Sequence, residues 1–180
     1  TVLPELTFTD ISIPANGNTV LVYQAKINES APLTTGSTIT NTATVTGNAI
    51  TGPITAAETI TTDDAASLSI NKTLSPTTIT ENGQITYTFI IQNFGNTAAT
   101  AEDSLSISDV FTPALTNISV TYNSAPWTET GNYTYDTTTG SFETVTGKIT
   151  GPAASYTQDP ATGAWSVTPG VTTLTVTGTI

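Results

Sequence analysis

The chain has 180 residues, with 3 Lys or Arg against 14 Asp or Glu, so its formal net charge is −11. A charge of this sign is repelled by phosphate backbones and anionic lipids, which argues against nucleic acid and membrane surfaces as partners. The sequence contains no Cys and no His. The chain therefore lacks disulfides, thiol nucleophiles, the commonest general base and the usual zinc ligands. We expect a non-enzymatic protein without a metal or cofactor.

Alternation of apolar and polar residues recurs along the chain and predicts β-strands throughout. In chain order the predicted strands are 19–27, 37–47, 67–74, 84–92, 104–110, 115–122, 141–150 and 171–180. Turn-forming pairs such as Asn16-Gly17 and Thr139-Gly140 separate them. Many short strands with regular turns indicate an all-β protein built as an immunoglobulin-like antiparallel β-sandwich. No apolar run approaches the roughly 20 residues of a transmembrane helix, so no membrane insertion is expected.

An internal repeat divides the sequence. Residues 17–27 (GNTVLVYQAKI) align with 170–180 (GVTTLTVTGTI), with Gly, Leu and Ile at the same offsets. The first copy is followed by another predicted strand at 37–47, and the second copy is the last segment of the given sequence. We therefore expect residues 1–60 to be the C-terminal part of a first sandwich module and 61–66 to be a linker. Residues 67–180 then form a second module that lacks its final strand.

Residues 67–100 (SLSINKTLSPTTITENGQITYTFIIQNFGNTAAT), with Ser108-Asp109 and 39–45 (ITNTATV), carry a family resemblance. Together they resemble the conserved repeat of the DUF11 type, an immunoglobulin-like module of bacterial surface and fibre proteins. The turn Asn93-Phe-Gly95-Asn96 departs slightly from the usual Asn-x-Gly spelling. The resemblance covers nearly the whole chain, and it implies an extracellular or cell-surface location and a repetitive structural role. A shared fold does not by itself establish function.

Lys72, Asp109 and Asn41 each fall on the apolar side of an alternating strand. Inward polar groups are unfavourable unless paired, and desolvation favours their neutral forms. These are the three residue types of a spontaneous isopeptide bond, in which a neutral lysine attacks the asparagine carboxamide, a protonated acid polarises its carbonyl, and ammonia leaves. Under the alternative interpretation, Lys72 extends to water, Asp109 accepts backbone donors beside the turn at Pro113, and Asn41 holds a loop.

Three aromatic residues, Trp127, Tyr133 and Tyr135, are the best candidates for an exposed platform that binds a glycan or another partner. Aromatic residues on strands are more often part of the core or of cross-strand pairs. Both interpretations remain open from the sequence.

These observations favour a structural subunit of an extracellular bacterial fibre or surface array. It would assemble head to tail as a homopolymer, donating a strand such as 39–45 to the open edge of the next copy, with isopeptide bonds as cross-links. The alternatives are a surface adhesin that binds a host or glycan ligand, and a phage decoration or fibre protein. A hydrolase based on acidic residues would need two carboxylates facing one cleft, and no pair in the sequence has that signature.

Overall fold

The computed structural model describes residues 5–28 and 30–180, and the described chain is nearly all β. Its one helical element is a 3₁₀ turn at Ala101–Asp103. The strands are β1 (Thr38–Val45), β2 (Ile54–Thr61), β3 (Leu68–Ser75), β4 (Gln84–Asn93), β5 (Ser108–Val110), β6 (Thr116–Tyr122), β7 (Ala125–Trp127), β8 (Tyr133–Tyr135), β9 (Ser141–Thr144), β10 (Ser155–Gln158), β11 (Trp165–Thr168) and β12 (Gly170–Thr179). The prediction of an all-β fold is confirmed.

Two antiparallel sheets form a sandwich within residues 68–179. One sheet has the strand order β3-β4-β12-β6-β7 and the other has the order β5-β9-β8. Side chains from both sheets and from the connecting segments share one core. Its buried members are Ile85, Phe89, Ile91, Ile107, Phe111, Leu115, Val120, Tyr133, Phe142, Ile149, Leu174 and Val176. The remaining strands form two separate hairpins, β1–β2 and β10–β11.

The central strands β4 and β12 show why this sequence forms a sandwich. Along both strands, fully buried residues alternate with partly buried ones, as a strand with one face on the core requires. The outer face carries threonines in register, so that Thr73, Thr88, Thr175 and Thr121 form one row across four strands. β-branched side chains suit such a pleated surface, and threonine supplies here the polarity that charged residues usually give.

The β8–β9 and β10–β11 hairpins share one turn of sequence Asp-x-x-Thr-Gly. In the first, the Asp136 side chain accepts hydrogen bonds from the amides of Thr138 and Thr139, and the Gly140 amide donates to the Asp136 carbonyl. Asp159 makes the same set of bonds in the second hairpin. Aspartate favours such turns because its side chain pairs with backbone donors two and three residues on. Both turns thus follow from one local pattern.

Three strand predictions were wrong in whole or in part. The strand predicted at 104–110 begins only at Ser108, after a turn at Ser104, and the other two lie at 19–27 and 141–150. Residues 19–27 are not a strand, and their apolar side chains are exposed, with Val20 at 76% and Val22 at 86%. Alternation alone does not form a strand, because a strand also needs backbone hydrogen bonds to a neighbouring strand. No strand of the described residues pairs with this segment. The predicted strand 141–150 ends at Thr144, and the chain then turns at Gly147, which has φ +78°.

The expected module boundary coincides with a gap between strands. β2 ends at Thr61 and β3 begins at Leu68, so the expected linker 61–66 lies almost wholly between elements. All core residues belong to the expected second module, 67–180. In the expected partial module 1–60, positions 1–4 and 29 lie outside the described residues.

Candidate functional site: the open side of the sandwich

The three-stranded sheet has a free edge at β5. β5 pairs with β9 on one side, and no other strand of the described chain pairs with it. The carbonyl of Ile107 accepts from Thr144 and the amide of Phe111 donates to Gly140, so these residues direct their backbone groups toward the β9 side. Backbone direction alternates along a strand, so Ser108 and Val110 direct theirs outward. Such an edge is a template for another strand.

A cleft of about 190 Å³ lies between β3 and the segment 105–107 that leads into β5. We call it the edge groove, and its lining residues are Leu68, Ser69, Ile70, Ile91, Leu105, Ser106, Ile107 and Ile149. The lining is largely apolar. Although Ile70 faces the core side of its sheet opposite the buried Ile91, it is 58% exposed. Ile70 faces inward and remains exposed, so no element of residues 5–28 and 30–180 covers this side of the sandwich.

Lys72 and Asp109 meet beside the groove. Lys72 follows Ile70 by two positions on β3. Asp109 on β5 likewise follows Ile107, which directly precedes that strand, by two positions, so each side chain continues an inward row. Their side chains form an ion pair that joins the two facing sheets. The structure thus brings together two of the three residues expected to react. The Lys72 side chain is 39% exposed and that of Asp109 is 19% exposed, so water still reaches the pair.

Aromatic rings surround the lysine nitrogen. Lys72 Nζ lies 4.8 Å from the ring centre of Tyr87, 5.6 Å from that of Phe89 and 5.5 Å from that of Phe111. Such rings attract a cation without accepting its proton. The second carboxylate oxygen of Asp109 accepts from the Val110 amide at 3.0 Å. The Asp109 carboxylate therefore holds both the lysine and one outward-pointing amide of the free edge.

The third expected residue, Asn41, lies elsewhere. It belongs to β1 in the separate β1–β2 hairpin, and its side-chain amide donates to the Tyr23 hydroxyl at 2.7 Å. The hairpin carries no buried residue. Within one chain the structure therefore does not bring Asn41 to Lys72.

The hairpin has two different faces. Residues directly opposite each other in an antiparallel pair lie on the same face. One face carries Asn41 and Glu58 at its centre and is otherwise apolar, with Ile39, Ala43, Val45, Ile54, Ala56 and Ile60. We call this the apolar face of the hairpin. The opposite face is almost entirely threonine, with Ala57 as the exception. The apolar face remains exposed in the described chain.

The base of the hairpin is held at the end of β4 by Asn96. The Asn96 side chain accepts a hydrogen bond from the Ala65 amide at 3.0 Å and donates one to the Asp64 carboxylate at 2.9 Å. The backbone carbonyl of Asn96 accepts a hydrogen bond from the Thr35 hydroxyl. Nearby, the buried side chain of Asn93 accepts from the Ser67 and Gly95 amides and donates to the Thr97 carbonyl. The Asn93–Asn96 turn, one of the motifs behind the family resemblance, therefore fastens the linker to the sandwich.

The expected aromatic platform is not an exposed surface. Tyr133 is only 5% exposed and packs against Phe142, so the expectation that it is exposed was wrong. Tyr135 is partly buried, and its hydroxyl accepts from the Leu115 amide and donates to the Leu115 carbonyl. Trp127 is also partly buried and stacks on Tyr122, with ring centres 4.5 Å apart. Strand alternation could not reveal this, because these short strands lie at the side of the sheets.

Among residues 5–28 and 30–180, no cluster of three or more acidic side chains is arranged to hold a metal ion. The same residues include no helix that is long and apolar enough to cross a membrane.

No family model matches this sequence, and no curated protein or solved structure matches it either. The edge groove, the Lys72–Asp109 pair and the β1–β2 hairpin must therefore be interpreted from their own geometry.

Proposed function

We propose that this chain is a structural subunit of an extracellular bacterial fibre or surface array, built from immunoglobulin-like modules that resemble the DUF11 type. Copies assemble head to tail when the β1–β2 hairpin of one copy enters the edge groove of the next. The observation that carries the proposal is that one chain presents two complementary apolar surfaces. One is an inward-facing groove beside a free strand edge, and the other is the apolar face of an exposed hairpin.

The internal repeat supports this choice of occupant. Residues 170–180 repeat 17–27, and their strand, β12, lies in the middle of the five-stranded sheet. In the first copy, the strands that come next along the chain are β1 and β2. The free edge of β5 is where two further strands can extend the smaller sheet. β1–β2 is thus the kind of element that this module would use to close itself.

The anchoring of the hairpin favours insertion into another copy. The bonds from Asn96 hold the linker at the end of β4, and the apolar face of the hairpin stays exposed there. The donating and accepting surfaces are different, so each added copy presents a new groove or hairpin and the contact propagates into a filament. Added strands contribute backbone hydrogen bonds, and alternate side chains that fill a groove give specificity.

The glycan-binding alternative loses its proposed surface, because Tyr133 is buried and the hydroxyl of Tyr135 is bonded to Leu115. A structural role requires no such surface.

Light scattering and electron microscopy of the full chain test the proposal. We expect particle mass to increase with protein concentration and filaments to appear in the images. Replacing Ile39 and Val45 by Asp on the apolar face should leave monomers, whereas Thr42→Asp on the opposite face should assemble as the natural chain does. A natural chain that stays monomeric at high concentration would refute strand donation.

A further inference from the structure

We propose that the Lys72–Asp109 pair is a cross-linking site, at which Lys72 Nζ forms an isopeptide bond with the side-chain carbonyl carbon of Asn41 in the hairpin donated by another copy. This inference rests on the proposed function, because Asn41 reaches the pair only when the hairpin enters the groove. The bond would turn a strand-donated contact into a covalent link between subunits.

The placement of Asn41 matches the placement of the ion pair. Through β5 and its flanking residues the inward row reads Ile107, Asp109, Phe111. On β1 the apolar face reads Ile39, Asn41, Ala43. Each row has one polar side chain between two apolar ones. A register that sets Asn41 beside Asp109 lets the carboxamide meet the ion pair.

A shift by two residues would bury the carboxamide among apolar side chains and cover the ion pair with Ile39 or Ala43. A shift by one residue would turn the threonine face inward. The matched register therefore leaves the fewest polar groups without partners. Glu58, opposite Asn41 on β2, would lie one strand further from β5.

Insertion of the hairpin also prepares the lysine to react. In the single chain the Lys72 side chain is 39% exposed, and water stabilises its charge. A covering strand excludes that water, and an ion pair moved out of water tends to become neutral by transferring a proton. Asp109 Oδ2 is already in contact with Nζ, and the three surrounding rings accept no proton. The Asp109 carboxylate is the acceptor that the geometry provides.

The reaction balances without an oxidant, reductant or co-reactant. A proton moves from Lys72 Nζ to Asp109 Oδ2, and the neutral amine then attacks Cγ of Asn41, forming the C–N bond. Protonated Asp109 donates a hydrogen bond to the carboxamide oxygen, and its carboxylate relays the surplus amine proton to the departing nitrogen. The C–N bond to the original amide nitrogen breaks, and ammonia leaves with the proton as ammonium. Each bond lowers the protein mass by one ammonia, about 17 Da.

The distribution of lysines gives a clear readout. The sequence has Lys26, Lys72 and Lys148 and no Arg, so trypsin has three sites. A lysine with an acylated side chain is not cleaved. In a cross-linked filament, trypsin should therefore leave residues 27–148 intact and joined to the same segment of neighbouring copies. Tandem mass spectrometry of a fragment from a second protease should identify Lys72 joined to Asn41.

Two substitutions separate chemistry from docking. Lys72→Arg keeps the positive charge but removes the nucleophile, and Asp109→Asn removes the proton acceptor at nearly constant shape. We expect both variants to form assemblies that dissociate fully in hot detergent. Matched controls are Lys148→Arg and Asn71→Ala, which change an exposed lysine and an exposed asparagine next to Lys72 on β3. Both controls should keep the detergent-resistant product.

The outcomes distinguish the two proposals. Detergent-resistant multimers that have lost about 17 Da per joint and carry the Lys72–Asn41 fragment support both. Assemblies of the natural chain that dissociate fully, with unchanged mass and a cleaved Lys72, overturn the cross-link and leave the proposed function standing. A monomer that carries the bond within one chain overturns the link between copies and head-to-tail assembly together.

Discussion

Lys72 on β3 and Asp109 on β5 form an ion pair across the two sheets of the sandwich, next to the free edge of the smaller sheet. Exposed ion pairs contribute little to stability, about 0–1 kcal/mol. The importance of this pair lies in its position at the end of an apolar groove, where an incoming strand would remove it from water. The same arrangement that adds little to the stability of one copy is suited to reaction when a second copy arrives.

The first prediction concerns Asn93, whose fully buried side chain bonds to Ser67, Gly95 and Thr97. Asn93→Ala leaves two amides and a carbonyl without their partner, so we expect the free energy of unfolding to fall by about 2–4 kcal/mol. Urea unfolding measures this loss. The neighbouring Gln92→Ala on the outer face should cost much less, and equal losses would contradict the anchoring role.

A second prediction tests the structural role of Tyr135. Tyr135→Phe removes the hydroxyl that bonds to both backbone groups of Leu115, and we expect a loss of about 1–2 kcal/mol in the free energy of unfolding. Tyr23→Phe is the matched control, because its hydroxyl bonds to Asn41 on the exposed hairpin. Thermal unfolding of the two variants should separate them clearly. No change in Tyr135→Phe would reopen a binding role for this side chain.

Much of this architecture follows from local patterns in the sequence. Alternation predicted β3, β4 and β12 and placed Lys72 and Asp109 on inward faces, because a strand paired along its length exposes every second residue to the core. The same reasoning failed for residues 19–27, where alternation is present but a ladder partner is not. It also failed for Tyr133, because β8 is three residues long and its burial depends on packing against Phe142. The pairing of β1 with β2 was not predicted, because alternation identifies a strand but not its partner.

The third prediction compares two glycines in equivalent turns. Gly140 and Gly163 both adopt positive φ, +74° and +77°. The atoms nearest to a Cβ at Gly163 belong to the flexible Ser30 and Gln158 side chains, so Gly163→Ala should cost about 1–2 kcal/mol, chiefly for the backbone conformation. At Gly140 a Cβ would lie 2.1 Å from the Phe111 carbonyl oxygen, so Gly140→Ala should cost substantially more. Similar losses in chemical unfolding would contradict the close approach at Gly140.

The fourth prediction is a pH dependence at the two aspartate turns. Hydrogen bonds from the Thr138 amide, then from Thr139, hold the pKa of Asp136 below its ordinary value of 3.8. Hydrogen bonds from the Ala161 and Thr162 amides lower the pKa of Asp159 in the same way. A carboxyl whose pKa is lowered by folding stabilises the fold above its unfolded pKa and loses that contribution as pH falls through the folded pKa. Carbon NMR titration should therefore give both carboxyl midpoints below 3.8, and a midpoint at or above that value would contradict these turn bonds.

The central claim, insertion of the hairpin of one copy into the groove of another, is tested most directly by mixing two full-length variants. Ile70→Asp places a charge in the groove and leaves the hairpin unchanged. The double variant Ile39→Asp and Val45→Asp places charges on the apolar face of the hairpin and leaves the groove unchanged. Val171→Asp, on the outer face of the larger sheet, is the control and should still form filaments. Analytical ultracentrifugation should show each blocked variant alone as a monomer and their equal mixture as a one-to-one dimer, because one variant can only donate and the other can only accept. A mixture that remains monomeric, while the natural chain assembles, would show that the copies associate through some other surface.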